Sequence, residues 1–242
     1  MNPLDKPLVV PALLLGISMI IGLAIVGQGI SARGQSDTIS VTGSASQDVK
    51  ADEATWAIDV RRTAGQADVA GASTQVSRDA KAVMAYFASQ HLASSTVIAS
   101  VVSSSQNYSN DGAPVTYAVT ETVTVTTSDV DTVDSLSHDV TGLDAVVSYG
   151  TLVSPEAPQY YVSSLPALRV SLLGAAVKDA RARAEQIAQS GGSQVGALAS
   201  ASSGVVQVLA PNSTNVEDYG EYDTSTVQKT VMVTAHATFY VH

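Results

Sequence analysis

Between Leu8 and Ile30 the chain runs for 23 residues without a charge, LVVPALLLGISMIIGLAIVGQGI. At about 1.5 Å per helical residue such a run reaches roughly 35 Å, enough to cross a hydrocarbon core of about 30 Å. It is either a membrane span or a leader that is cut away. A cleaved leader has a shorter apolar region followed by an A-x-A-like site. No A-x-A follows this run, and Gly27-Gln28-Gly29 is a poor substitute. We therefore expect residues 1–34 to form an uncleaved transmembrane anchor and flanks, touching the lipid bilayer through residues 8–30, with residues 35–242 as one extracytoplasmic domain. Lys6 and Arg33 flank the run on opposite sides, so charge gives little sense of orientation. Gly16, Gly22, Gly27 and Gly29 allow close helix approach, but no G-x-x-x-G is present to specify a dimer.

The remaining residues are enough to bury a core of their own. Aromatic residues make up only 5% of the chain, so that core must be built by close packing of small and β-branched side chains. There is no cysteine, which removes disulfides, thiolate metal sites and cysteine nucleophiles. The formal charge is −10, and residues 82–168 contain eight acids but no Lys or Arg. A phosphate backbone is repelled by such a stretch, so no nucleic-acid partner is expected. Solubility accounts for the acidity more simply.

Periodicity organises the exported part. Ile39, Val41 and Gly43 alternate with Ser40, Thr42 and Ser44, and a second strand covers Ala54–Thr63 with Trp56, Ile58 and Val60 on one face. Val69, Ala72, Val76, Ala80, Val83 and Phe87 recur at helical spacing, with Arg78, Asp79 and Lys81 off that stripe and an end near His91. A strand is expected over Val97–Ser103. A turn at Asn110-Asp111-Gly112 leads into a longer strand, Val115–Thr127, where valines alternate with threonines. Ser128 should cap a short helix with Asp129 and Asp131 in its first turn. A strand over Ala145–Val153 and an irregular link through Pro155, Pro158, Tyr160 and Tyr161 follow. The second long helix, Ser164–Ser190, presents Leu165, Leu168, Leu172, Ala176, Ala180, Ala184 and Ile187 inward and ends at Gly191-Gly192. A short strand over Val205–Leu209, a polar loop from Pro211 to Thr226 and a closing strand over Val227–Val241 complete the chain. Strand pairs separated by helices define an α+β class, antiparallel sheets covered by two long helices.

Three stretches together resemble the SIMPL-domain family of bacterial exported proteins. They are the opening ISVTGSASQDVKADEATWAIDV, the helix ALRVSLLGAAVKDARARAEQIAQSGG, and the ending in which GVVQVL, the loop PNSTNVEDYGEYDTST and a Thr-alternating last strand follow one another. The resemblance spans nearly all of residues 38–242. It implies a periplasmic or surface-anchored protein that associates into rings or cages, with some members linked to oxidative-stress defence. It brings no catalytic residues with it. Combined with the apolar run, it places the chain in a bacterial inner membrane, single-pass, with its C-terminal domain in the periplasm or outside the cell.

Two groups of side chains stand out as candidate subunit or partner contacts. Asp179, Arg181, Arg183 and Glu185 crowd one region of the second long helix. Arg181 and Glu185 can pair along it, and Arg183 could reach a partner chain, although a solvated face explains the cluster as well. Tyr160, Tyr161, Tyr219 and Tyr222 lie in or near loops, and tyrosines among acids make adaptable contacts. Glu217, Asp218, Glu221 and Asp223 surround the last two, without the D-x-[DN]-x-[DN]-G pattern of a calcium loop. His91, His138, His236 and His242 have no partner at metal-ligand spacing. Neither G-x-S-x-G, G-x-x-x-x-G-K-[ST] nor G-x-G-x-x-G occurs. The expectation is therefore a non-enzymatic protein without cofactor or metal. It is either a structural subunit that assembles with copies of itself or a binding module for an envelope component or small ligand.

Overall fold

A computed structural model describes residues 14, 16–23, 37–90, 92, 96–108, 114–213 and 219–242. In chain order the elements are strands β1 (Thr38–Lys50) and β2 (Glu53–Gly65), helix α1 (Val69–Ser89), and strands β3 (Thr96–Ala99), β4 (Ser103–Asn107) and β5 (Thr116–Thr127). Helices α2 (Val130–His138) and α3 (Thr141–Val146) then precede β6 (Thr151–Pro155), β7 (Gln159–Tyr161), α4 (Leu165–Ser190), β8 (Val195–Leu209) and β9 (Gln228–Val241). The α+β class with antiparallel sheets is as expected. The chain divides into two compact units. One takes in 44–176 and 204–234; the other takes in 177–203, 235–242 and the described residues up to Gly43.

The larger unit is built on a six-stranded sheet in the order β3-β5-β2-β6, with β4 also on β5 and β7 also on β2. Its axis is the antiparallel pair β2–β5, in which Trp56 faces Val125, Ile58 faces Val123 and Val60 faces Glu121. Alternation puts Ala54, Trp56, Ile58 and Val60 in the core, and Ala72, Val76, Ala80, Val83 and Phe87 of α1 pack in the same cluster. Trp56 and Phe87 meet edge-on, with centroids 5.6 Å apart at 65°. The Trp56 indole N–H donates to the Glu156 carbonyl at 2.8 Å, so its one polar atom is satisfied inside the core.

Local hydrogen bonds, rather than apolar spacing, account for several departures from the expected elements. The strand expected over Val97–Ser103 is split into β3 and β4, and between them Ser100 bonds Thr122 with its backbone N–H, to the carbonyl at 2.8 Å, and with its hydroxyl, which accepts the Thr122 N–H at 3.0 Å. The cap of α2 is Asp129, not Ser128; its carboxylate accepts the Thr132 N–H at 3.2 Å. Part of the strand expected over Ala145–Val153 is helix α3. Asp139 accepts both the Thr141 N–H and its hydroxyl and turns the chain into that helix. Tyr160 and Tyr161 belong to β7, with Tyr161 opposite Glu53, instead of an irregular link.

The second sheet has the order β1-β9-β8, and β1, α4, β8 and β9 contribute residues to both units. In the larger unit Leu172 packs with Val208, Val231 and Val233. In the smaller unit Ala180 and Ala184 pack with Ala237 and Phe239, alongside Ile39, Val41 and Val195. The inner face of α4 ends with Ala188, whereas Ile187 is 53% exposed. The four-residue step from Ala176 through Ala180 and Ala184 continues to 188, not 187. Gly192, at φ +77°, takes the left-handed conformation just past the helix. Strand β8 is 15 residues long, not the short Val205–Leu209 piece. Its Ala/Ser/Gly-rich first half carries no apolar alternation to reveal it.

Of the apolar run at 8–30, Leu14 and Gly16–Leu23 are helical with exposed side chains, and the rest lies outside the described residues. Among the described residues no helix is long and apolar enough to cross a membrane. The ends expected at His91 and at Asn110-Asp111-Gly112 also lie outside them.

Candidate interaction site

Strand phase alone puts Lys229 inside the protein. It lies two residues before Val231 on the inward face of β9, and it is 1% exposed. A buried ammonium needs both charge and hydrogen-bond partners. The turn before β9 supplies them. Lys229 Nζ donates to the Asp223 backbone carbonyl, lies 3.3 Å from its carboxylate, and sits 6.0 Å from the centre of the Tyr222 ring.

Asp223 in turn organises the turn. Its carboxylate accepts the Ser225 N–H and hydroxyl at 2.9 and 2.6 Å, the Thr226 N–H at 3.3 Å, and the Thr226 hydroxyl. Burial works against the charge, but the Ser225 and Thr226 bonds, with Lys229 beside them, outweigh it and hold the Asp223 carboxyl well below the usual carboxylate range. Burial pulls the Lys229 ammonium below its usual range, and Asp223 only partly offsets this. Backbone bonds tie the same turn to its neighbours: Asp223 N–H to Val208 O at 2.7 Å and Tyr160 N–H to Thr224 O at 2.8 Å.

The pinned turn presents an aromatic pair. Tyr161 and Tyr222 lie with ring centroids 6.0 Å apart at 41°. The Tyr222 hydroxyl accepts the Val162 N–H at 2.9 Å, and Tyr222 remains 39% exposed. Both rings are thus oriented before anything binds. Lys229 and Asp223, by contrast, are fully engaged with each other and with the turn.

The other two tyrosines stand apart. Tyr160 is 3% exposed, and its hydroxyl donates to Asp134 at 3.0 Å. Burial first, and then Asp134, push its phenol up to about 12. It is an anchor between β7 and α2 rather than a contact surface. Tyr219 is 97% exposed. Glu217 and Asp218 lie outside the described residues.

The helix cluster resolves into two ion pairs along α4. Asp179 meets Arg183 at 2.8 Å, and Arg181 meets Glu185 at 3.0 Å. Arg181 also reaches the Gly196 carbonyl at 3.4 Å and lies 5.8 Å from the centre of the Phe239 ring. The guanidinium of Arg181 therefore ties α4 to both β8 and β9. Arg183 is held by Asp179 on its own helix.

Two buried acids escaped the sequence reading. Asp79, expected off the α1 stripe, is 2% exposed. It accepts bonds from Gln75 at 3.0 Å, from the Ser148 N–H and hydroxyl at 3.2 and 2.8 Å, and from Thr151 at 2.6 Å. Burial alone would raise its carboxyl; the Thr151, Ser148 and Gln75 bonds outweigh that and hold it below the usual range. Glu121 sits in phase between Val119 and Val123 and is 7% exposed, with one carboxylate oxygen buried without a partner. For both residues, and for Lys229, the signal was phase: each falls on the step of an apolar stripe. Among the described residues no three His, Asp or Glu side chains gather as metal ligands.

The pattern of the SIMPL family, described as a protein of unknown function (DUF541), matches residues 39–239. The chain belongs to the SIMPL family. The matched region begins inside β1 and ends inside β9, so both sheets and the pinned turn of this SIMPL chain fall within it. No curated protein matches the chain.

Proposed function

We propose that this SIMPL chain is a membrane-tethered extracytoplasmic subunit that assembles with copies of itself in a bacterial cell envelope, in the service of envelope stress defence. The observation that carries the reading is the second sheet. Among the described residues it has three strands, and its outer two, β1 and β8, are 13 and 15 residues long. A sheet edge carries unpaired N–H and C=O groups and is a template for another chain. The 23-residue uncharged run supports the tether in the inner membrane, with the domain of residues 35–242 in the periplasm or outside the cell. A tether would also raise the local concentration of copies. In this reading the protein carries out no catalysis and uses no cofactor. Sedimentation of the detergent-solubilised full chain tests it: a single oligomer is expected, and a clean monomer at micromolar concentration sinks it.

The oriented Tyr161–Tyr222 pair favours a second reading, a binding module for an envelope component or small ligand. Tyr219→Ala, at an exposed position beside the pinned turn, together with Tyr222→Phe, should then weaken capture of that component in a pulldown while the oligomer persists. Unchanged capture would remove this reading's support.

A further inference from the structure

Gln194 exchanges both backbone hydrogen bonds with His242, at 2.8 and 3.1 Å, just ahead of the ladder between β8 and β9. In an antiparallel ladder alternate residues turn their backbone groups toward the neighbour and away from it. Val195 and Ala197 therefore turn N–H and C=O away from β9, toward the side where, among the described residues, β8 has no strand beside it. Farther along, Val208 also turns outward; it lies an even number of residues from Gln194, so the alternation shifts by one residue between them, as at a β-bulge, and there the outward groups are occupied: the Val208 N–H donates to Glu221 O at 2.8 Å, and its carbonyl accepts the Asp223 N–H at 2.7 Å. One end of the edge is thus covered within its own unit, and the first half, 195–202, has no strand against it among the described residues.

That first half is unusual in two further ways. Every residue from Ala197 to Ser203 is exposed, so neither face of the strand is covered, and apart from Leu198 the side chains are Ala and Ser. Nothing bulky stands in the way of a neighbouring strand. The stretch also lies within 31 consecutive residues, 186–216, that carry no charge in a chain of formal charge −10. Edges are ordinarily guarded by Lys or Pro, and β8 has neither. The other edge, β1, carries Asp48 and Lys50.

We propose that the Val195–Ser202 stretch of β8 is where two copies of this chain join, edge to edge and antiparallel, so that one sheet continues into the next. The inference rests on the self-association reading and assigns it a surface. Charge selects a second copy as the occupant. Two acidic bodies repel across most of their surfaces, but an antiparallel β8–β8 pair over this stretch sets only uncharged residues, Val, Gly, Ala, Leu and Ser, against one another. A two-fold contact also needs one surface, not two.

The test uses the full chain in detergent. Ala197→Pro deletes the outward N–H while leaving the bonds between Gln194 and His242, as an edge position allows; Ala197→Thr keeps the N–H. Leu198→Cys gives the chain its only cysteine. We expect sedimentation of Ala197→Pro to show association weakened at least about ten-fold, with unchanged circular dichroism. Ala197→Thr should behave as wild type, and Leu198→Cys should form a symmetric disulfide under mild oxidation. Three results overturn the proposal: Ala197→Pro associating like wild type, no crosslink in an oligomer of Leu198→Cys, or a wild-type particle whose mass includes an extended segment of another protein. A wild type that is monomeric overturns the self-association reading itself.

Discussion

The two long helices solve one packing problem with different side chains. Helix α1 buries Val76, Val83 and Phe87, larger groups that pack in the core of the six-stranded sheet, with Phe87 meeting Trp56. Helix α4 buries Leu172 and then Ala176, Ala180, Ala184 and Ala188, each at most 5% exposed. Alanine lets a backbone lie close to its neighbours but removes little apolar area per residue, at about 25 cal/mol per Å². Around α1 stability comes from filling volume. Along the alanine stretch of α4 it depends on nothing larger entering. The first arrangement fails by losing atoms, the second by gaining them.

Phe87→Ala should show the largest effect, a loss of about 3–5 kcal/mol in urea denaturation, because its ring meets Trp56 edge-on. Lys229→Ala should cost about 3 kcal/mol by leaving Asp223 without its buried cation, and Lys229→Met less, since it keeps the packed stem. Ala184→Leu on α4 should cost about 1–3 kcal/mol through overpacking. If Ala184→Leu is neutral, the contrast between the helices fails, because the alanine face would then have room to spare.

Acid should act on the α1 side through Asp79. Its folded pKa lies below its ordinary value, so its contribution is complete above about pH 4 and is lost as pH falls through the folded value. Asp79→Asn should lower stability at neutral pH and flatten the decline on acidification, as read by denaturation at a series of pH values. Equal acid sensitivity in wild type and variant would show that Asp79 makes no such contribution. The smallest effect is expected at the exposed pair on α4, where Arg183→Ala should change stability by no more than about 0.5 kcal/mol. A larger loss would mean that Arg183 is held by more than Asp179.

The stripes of both helices, the strand alternation and the α+β order were legible because repeating apolar spacing is local information. The candidate tyrosines were legible only as a group. Tyr160 turned inward to Asp134, while Tyr161 and Tyr222, 61 positions apart, became neighbours. Lys229, Asp79 and Glu121 were missed because a charged residue on an apolar stripe reads as an interruption of it. The first half of β8 was missed because Ala and Ser carry no contrast between faces.

The sequence alone determined the uncharged run at 8–30, the lack of thiol chemistry, the acidic balance and the two amphipathic helices, since each depends on composition or on spacing within one element. Only the tertiary structure decided which charges are buried, which rings meet and, among the described residues, which strand edge has no neighbour. Those outcomes depend on partners far away in the chain: a buried lysine is tolerable only where a distant turn supplies Asp223, and an edge is open only where no later segment reaches it.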